Sequence, residues 1–145
     1  MSTVNTPAKL DTPVKEIMVT DLITVEKSKS MSDVNKLFET NQLHHLPIVE
    51  GDKLVGIISL HDHLRISYGF VMGSEEAEEI NENVYSYLTI EQVMTENPIT
   101  ITPESTVKEA AAHFNNNMFH ALPVVQGDKL VGMITTLDLL NFLMK

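Results

Sequence analysis

Two residue pairs in this chain have the types and the spacing to do chemistry: Ser59 with Asp62, and Thr135 with Asp138. In each pair a hydroxyl residue stands three positions before a carboxylate, directly after an apolar stretch. This pattern is typical of a helix start, where the hydroxyl and the acid each accept a hydrogen bond from the main chain. The free N–H groups of a helix start also attract anions. The residues alone therefore favour helix capping, and they leave room for a ligand at the same place.

Both pairs belong to an internal repeat, in which Met18 corresponds to Met94 and the alignment continues without a gap to the last helix. The stretch "SMSDVNKLFETNQLHHLPIVEGDKLVGIIS" corresponds to "TVKEAAAHFNNNMFHALPVVQGDKLVGMIT". Such self-similarity indicates two copies of one structural unit. We divide the chain into a loose tail at 1–11, a first repeat at 12–65, a connector at 66–88 and a second repeat at 89–145.

Hydroxyl residues in capping patterns predict four further helix starts, at Thr12, Ser30, Thr89 and Thr106. The first and third of them open short helices, at about 14–18 and 90–94. The second and fourth open longer amphipathic helices with one apolar face. Asn41 and Asn117 stand where a residue in the left-handed conformation commonly ends a helix.

The remaining elements are strands and a closing helix in each repeat. Brief strands are predicted at 22–25 and 99–101. The apolar stretches "LPIV" and "KLVGII", and "LPVV" and "KLVGMI", flank a Gly-Asp dipeptide, which predicts a hairpin. Helices then start near Leu60 and Thr136. Each repeat is thus a mixed α/β (α+β) unit in the order helix, strand, helix, strand, strand, helix.

Composition excludes several function classes. The 145 residues are 43% hydrophobic, which is enough for a packed core, and they include no cysteine. A net charge of −10 disfavours binding to a nucleic-acid backbone. We see neither a signal peptide nor an apolar stretch long enough to span a membrane, and we expect a cytoplasmic protein.

In the connector, Ser74 followed by glutamates predicts an acidic helix.

The histidines do not form a convincing metal or catalytic site. His44 and His45 precede a strand, whereas His61 and His63 lie at a helix start, and no carboxylate stands at a ligand interval. Ser59, His61 and Asp62 are too close in sequence to align as nucleophile, base and orienting acid. No Gly-rich phosphate loop is present. We therefore expect neither an enzyme nor a metal site.

Three motifs occur in the same order in both repeats: an early "ITV" or "ITI", the strand "HHLPIV" or "HALPVV", and the closing "G-apolar-apolar-Ser/Thr-x-x-Asp". This duplicated order resembles the tandem cystathionine-β-synthase (CBS) domain pair of stand-alone bacterial proteins. The resemblance covers 12–142. It implies two repeats, each a small three-stranded sheet with flanking helices, packed as a pseudo-two-fold pair. It also implies a homodimer and a regulatory ligand containing adenosine, such as AMP, ADP, ATP, S-adenosylmethionine or NAD, in clefts between the repeats.

The resemblance further implies roles for particular residues. Asp62 and Asp138 match the carboxylate that takes the ribose diol, and Ser59 and Thr135 match the hydroxyl beside ribose or phosphate. The walls around adenine are matched by Thr24 and Thr100, by the backbone of Leu46, Pro47 and Ile48, and by the backbone of Leu122, Pro123 and Val124. The polar position that faces phosphate is matched by His44 and His120.

One departure from the family pattern concerns charge. Many nucleotide-binding members have an arginine after the histidine, where this chain has His45 and Ala121. AMP or another weakly charged adenosine compound is therefore favoured over ATP, and one site could be empty. The expected function is a sensor that signals to a partner protein, with no obligatory cofactor. The alternative is a ligand-independent dimerisation or interaction scaffold.

Overall fold

The structure is a computed structural model that describes residues 9–69 and 87–145. The predicted acidic helix after Ser74, and residues 1–8 of the predicted tail, lie outside the described residues. No helix in the described ranges is long and apolar enough to cross a bilayer. The elements in chain order are a 3-10 helix (Val14–Glu16), β1 (Val25–Glu26), α1 (Met31–Thr40), β2 (His45–Glu50), β3 (Lys53–Ser59), α2 (Leu60–Gly69), α3 (Ile90–Val93), β4 (Thr95–Glu96), α4 (Val107–Asn116), β5 (Ala121–Gln126), β6 (Lys129–Thr135) and α5 (Thr136–Leu143).

The chain divides into two compact units that cut across the sequence repeats. Ile23–Asn97 form one, here called the first-repeat unit because it contains the hairpin of the first repeat. The chain up to Leu22 and Pro98–Lys145 form the other, here called the second-repeat unit. Each unit therefore contains the short helix that precedes the other repeat's hairpin in sequence. The division at 12–65 and 89–145 stays a prediction about the repeats.

Main-chain bonds and core packing fix the short helices in these exchanged places. In the second-repeat unit, Val14 is fully buried and its N–H donates to the Ser105 carbonyl at 2.7 Å. In the first-repeat unit, Ile90 is fully buried in a core with α1, β2 and β3. β4, which follows α3, pairs antiparallel with β3. The exchange therefore rests on buried apolar area and on strand pairing.

The matching methionines lie against matching glycines of the closing strands. A Cβ on Gly56 of β3 would overlap the Met94 thioether, and a Cβ on Gly132 of β6 would overlap that of Met18. The missing side chain lets the methionine lie directly on the strand backbone. These methionines therefore serve packing.

The two predicted hairpins are confirmed, and the structure gives their register. β2 and β3 pair from His45 with Ser59 to Glu50 with Lys53, and β5 and β6 pair in the equivalent way. Gly51 and Gly127 have φ of 62° and 64°, the left-handed region that favours glycine. Both ladders shift register at the same place, near the middle of the first strand. The main-chain geometry of the hairpin is therefore duplicated.

Most of the predicted helix starts are confirmed. Ser30 and Thr89 each form a full capping box, and Thr106 accepts the Glu109 N–H at 3.2 Å. Thr12 does not cap, because Pro13 is the N-cap and no side chain takes part. The Thr12 carbonyl instead accepts the Val107 N–H at 2.9 Å, so this segment is held by α4.

The prediction for the helix ends is wrong. Asn41 and Asn117 have φ of −128° and −134°, which is extended rather than left-handed backbone. Their side-chain amides donate to the carbonyls of Leu37 and His113, at 3.0 and 2.8 Å. The side chain thus supplies a donor for the last turn, and the main chain leaves each helix already extended.

The early strands are also shifted from their predicted positions. β1 covers Val25–Glu26 and pairs parallel with β2, where a strand at 22–25 was predicted. In the other copy, Ile101 forms a single parallel bridge with Val124. Val25 and Ile101, which pair with the hairpins, are buried, whereas Ile23 and Ile99, within the predicted strands, are exposed.

Candidate ligand-binding sites

The helix starts that carry the predicted carboxylates are built as the sequence indicated. β3 ends at Ser59, whose hydroxyl accepts the Asp62 N–H at 3.0 Å. At the start of α5, Thr135 accepts the Asp138 N–H at 3.1 Å, and the Asp138 carboxylate accepts the Thr135 N–H at 2.9 Å. Capping by both hydroxyls is therefore confirmed. The four residues are half-buried, so their polar atoms lie near the surface.

Strand pairing brings the predicted histidine positions beside these helix starts. His45 is paired with Ser59 in the β2–β3 ladder, and the Leu60 N–H donates to the His44 carbonyl at 2.7 Å. The equivalent place in the second-repeat unit pairs Ala121 with Thr135. There the Thr136 N–H donates to the His120 carbonyl at 3.0 Å. The strand start and the helix start are thus joined by main-chain bonds in both units.

The two threonines of the predicted adenine walls lie beside the same hairpins. Val25 pairs with Ile48 in parallel, so Thr24, the residue before Val25, lies beside β2 one position nearer the start of that strand. Ile101 pairs with Val124, which places Thr100 in the corresponding position. Each unit therefore contains one complete set of predicted residues. We call these the first set (Thr24, His44, His45, Ser59, Asp62) and the second set (Thr100, His120, Ala121, Thr135, Asp138).

The apolar residues predicted to line the sites are all buried. Leu46, Ile48, Leu122 and Val124 are fully buried and belong to the two hydrophobic cores. Their side chains stabilise the hairpins, in the range of about 1.5–3 kcal/mol for each buried aliphatic side chain. Pro47 and Pro123 are buried as well. The main-chain role assigned to these six residues stays a prediction.

The two sets differ in the polar groups that they offer. His44 and His120 are both exposed, so each could face a solvated ligand group. The first set adds the half-buried imidazole of His45, where the second set has the methyl group of Ala121. Neither set contains an arginine or a lysine. An anion at these places would therefore depend on imidazole and on main-chain N–H groups at the helix start.

The four histidines of the first repeat lie in different surroundings. His63 is 4% exposed and stacks on Phe38, with ring centroids 4.9 Å apart, whereas His61 is exposed. Within the described part of the chain, no group of three or more histidines and acids could hold a metal ion.

Three hydrogen-bonded side chains, His63, Asn35 and Glu39, here called the polar chain, link α2 to α1 and were not predicted from the sequence. Nε2 of His63 lies 2.9 Å from Oδ1 of Asn35, and Nδ2 of Asn35 donates to Glu39 at 3.0 Å. Burial lowers the pKa of His63, and the charge of Glu39 opposes that change. The signal was present in the repeat alignment, because His63 occupies the place of the core residue Leu139.

A concavity lies away from both sets of predicted residues. It has a volume of about 750 Å³ in the first-repeat unit, and Lys27, Lys29, Leu88 and Glu91 are among the residues that line it. The Lys27 ammonium already contacts Glu50 at 3.1 Å and Glu91 at 3.6 Å. None of the predicted ligand residues borders it, so it adds nothing to the candidate sites.

A relative of similar length shares the chain's sequence over most of both proteins. A CBS domain-containing protein of Dictyostelium discoideum is 33% identical over 134 residues, which are 91% of each chain. Other curated relatives are longer. The chain spans 23% of a homoserine O-acetyltransferase of Methanohalobium evestigatum, with 30% identity over 130 residues.

Solved structures share the fold. The CBS domain of a CBS domain-containing membrane protein from Sphaerobacter thermophilus has a TM-score of 0.78 and 28% identity, over 94% of this chain and 90% of that one. A CBS domain pair in complex with 5′-methylthioadenosine and S-adenosyl-L-methionine has a TM-score of 0.69 and 30% identity, over 90% of this chain and 94% of that one. Both likenesses extend across the two repeats.

The family assignment rests on the two repeats separately. The family model of the CBS domain matches residues 14–66 and again residues 90–145. These matches begin at the two short helices and include both hairpins and both hydroxyl–carboxylate pairs. The resemblance inferred from the sequence motifs is therefore confirmed, and the chain belongs to the CBS domain family, with two copies of the domain in tandem.

Proposed function

We propose that this chain is a regulatory sensor that binds an adenosine-containing ligand and signals its presence to a partner protein. The observation that carries the proposal is that each unit collects a threonine, a histidine, a capping hydroxyl and a carboxylate around one hairpin. The proposed function includes no catalytic step. We further propose that the protein acts in the cytoplasm, in keeping with its cysteine-free composition.

The chemistry of each set suits a ribose and a small anion. A carboxylate offers two acceptor oxygens to two adjacent hydroxyl donors, which is the arrangement of a ribose diol. The hydroxyls of Ser59 and Thr135 accept bonds from their helices and can still donate their own proton outward. The CBS pair that is 30% identical was solved with two adenosine compounds, which supports the same ligand class here.

The charge of the sets favours AMP, or another weakly charged adenosine compound, over ATP. Neither set contains a fixed cation, and the whole chain carries a net charge of −10. Each additional phosphate would therefore add repulsion without a new partner. His45 gives the first set one more titratable donor than Ala121 gives the second, so we expect the first set to bind a phosphorylated ligand more tightly.

One observation supports a second candidate function, a dimerisation or interaction scaffold. Leu137, Leu140 and Met144 follow one face of α5 and its end, and they are 63%, 55% and 79% exposed. Apolar side chains at this helical spacing form a continuous stripe that another protein surface could cover. A homodimer through this stripe is compatible with the sensor and would also serve a scaffold without a ligand.

Thermal unfolding with a panel of ligands tests the proposal. The panel is AMP, ADP, ATP, adenosine, 5′-methylthioadenosine, S-adenosylmethionine and NAD, added to protein shown to be free of nucleotide. A ligand that binds only the folded chain at 100 times its Kd stabilises it by about 2.7 kcal/mol. We expect a dose-dependent rise in Tm with at least one compound, and a smaller or absent rise with ATP.

Substitutions separate ligand binding from capping. Asp62→Ala with Asp138→Ala should abolish the ligand-dependent rise in Tm. Asp33→Ala is the matched control, because it removes the capping carboxylate of α1 outside both sets. The scaffold would be favoured over the sensor by two results together: no compound raises the Tm, and Leu140→Glu dissociates an oligomer that the unmodified protein forms.

A further inference from the structure

The polar chain of the first-repeat unit connects its core to the surface. His63 on α2 stacks against Phe38 on α1 with an angle of 16° between the rings. Its Nε2 is hydrogen-bonded to Asn35, and Asn35 is hydrogen-bonded in turn to Glu39. The two contacts of His63 join α2 to α1, and the bond between Asn35 and Glu39 lies along α1. A buried imidazole is thus linked through one amide to an exposed carboxylate.

The protonation state of the imidazole follows from these bonds. A carboxylate only accepts, so the Asn35 amide must direct its NH₂ group to Glu39 and its oxygen to His63. The oxygen accepts, and Nε2 of His63 therefore carries the proton in the neutral form. A second proton has to enter at Nδ1, which is buried inside the unit. Charging the imidazole places a cation in the core.

Burial and the charge of Glu39 act on the imidazole in opposite directions. Glu39 on α1 favours the protonated imidazole, while burial acts against it and is the larger effect. The neighbouring strands and α3 contribute the apolar side chains of Leu46, Ile58 and Ile90 to this core. On α2 itself, the adjacent carboxylate is that of Asp62.

The second-repeat unit lacks the whole polar chain. Where the first repeat has Asn35, Glu39 and His63, the second has Ala111, Asn115 and Leu139, while the aromatic ring of Phe38 is retained as Phe114. Leu139 and Ala111 pack in an apolar core. The three positions differ together between the repeats, as expected for groups that act as one unit.

We propose that His63, Asn35 and Glu39 form a proton-sensitive link between α1 and α2 that weakens when the imidazole takes up a second proton. His63 is then a positioning residue for the start of α2, which holds Asp62. Mild acid should loosen this helix start in the first-repeat unit and leave the equivalent start of α5 in place. The effect on a ligand rests on the proposed function, whereas the effect on the helix does not.

The sign follows from the two pKa values. Burial makes the pKa of His63 in the folded chain lower than the ordinary value of about 6.5 in the unfolded chain. As pH falls below about 6.5, the unfolded chain binds the proton first, and stability decreases until the folded-state pKa is passed. The full contribution of the neutral imidazole is therefore present above this window.

Two measurements on the unmodified protein test the link. Imidazole NMR titration should show His63 titrating below the ordinary value of about 6.5. Amide hydrogen exchange, corrected for intrinsic rates, should show protection of α2 falling relative to α5 between about pH 7.5 and about pH 5.5. The relative loss is at most about tenfold per pH unit.

Variants identify the group responsible. His63→Leu introduces the residue of the second repeat, and it should make the α2-to-α5 ratio of protection independent of pH. Asn35→Ala with His63→Leu copies both apolar positions and serves if the single variant folds poorly. An ordinary or raised pKa for His63, or an unchanged pH response in a folded variant, would overturn the proposal.

A ligand arm keeps this proposal separate from the proposed function. With a ligand found in the thermal screen, acid should weaken binding in the unmodified protein more than in His63→Leu. Equal weakening in both would remove the role of His63 in positioning Asp62. If no ligand binds at all, the proposed function fails, and the titration and the exchange measurements still decide the link.

Discussion

The first-repeat unit and the second-repeat unit use the same hairpin to place a hydroxyl at a strand end and a carboxylate one helical turn later. Around that common frame their side chains diverge. His45 is replaced by Ala121 beside the helix start, and His63 is replaced by Leu139 in the core. The duplicated main-chain geometry is thus retained, while the charge and polarity of the surroundings are not.

This divergence changes what the core must accommodate at one matching position. Leu139 gains free energy from burial and has no polar group to satisfy, whereas His63 must keep its ring neutral and hydrogen-bonded. Leu139 therefore gives α5 no counterpart of the titratable group on α2. The first-repeat unit has a polar chain at this place, on the helix that holds Asp62.

The largest expected effect concerns the exchanged short helices. Ile90→Ala removes a fully buried side chain, and we expect a loss of about 2–5 kcal/mol in the free energy of unfolding. Although Ile90 belongs to the second sequence repeat, its contacts are in the first-repeat unit. Hydrogen exchange should therefore show the earliest loss of protection in β2 and β3.

Val14→Ala is the matched control for that prediction. Val14 is fully buried in the second-repeat unit, so its loss of protection should appear in β5 and β6, with a smaller cost because fewer methyl groups are removed. Faster exchange in β5 and β6 of Ile90→Ala, with β2 and β3 unchanged, would contradict the exchanged arrangement.

The next effect concerns the methionine contacts of the closing strands. Gly56→Ala and Gly132→Ala each place a methyl group on a methionine thioether, and we expect a cost of about 1–3 kcal/mol in chemical unfolding. In a Met94→Ala background, Gly56→Ala should cost less than in the unmodified protein, because the overlapping thioether is gone. Single variants as stable as the unmodified protein would show that the methionines repack freely.

Much of this comparison could be predicted from the sequence because it depends on local signals. The Gly-Asp turns, the hydroxyl caps and the alternation of apolar strands fix the hairpins and the starts of α2 and α5. The roles of the candidate site residues came from the family resemblance and stay predictions. His45 and Ser59 pair within one hairpin, whereas Thr24 is placed beside it by the parallel pairing of β1 with β2.

The exchange of short helices could not be predicted in the same way. The segments around Val14 and Ile90 carry equivalent signals, and nothing local states which core receives them. The choice depends on apolar contacts between residues that are far apart in sequence, such as Val14 with Val107. The extended ends at Asn41 and Asn117 were missed because a side-chain donor competes with the left-handed cap.

A smaller effect is expected at the two helix starts of the candidate sites. Ser59→Ala and Thr135→Ala each remove a capping acceptor, at a cost of about 1 kcal/mol in thermal unfolding. Both variants should also weaken the ligand-dependent rise in Tm. A variant that loses stability and keeps the full ligand response would assign its hydroxyl to capping alone.

The smallest effect concerns the ion pairs of the short helices, whose polarity is reversed between the units. Lys15 lies 3.7 Å from Glu104 in the second-repeat unit, and at the matching position Glu91 lies 3.6 Å from Lys27 in the first. A hydrogen bond to Glu50 and the charge of Glu91 raise the pKa of Lys27. Each short helix thus carries the charge that suits the unit in which it packs.

Glu91→Lys reverses that match, because it puts a second ammonium beside Lys27. We expect a fall in Tm smaller than that of either cap variant at low NaCl, and little difference at high NaCl, since exposed pairs are weak and screened. Lys15→Glu, which faces Glu104, is the matched control in the other unit. A fall in Tm that persists in high salt would mean that side-chain packing of this helix, and not its charge, selects the unit.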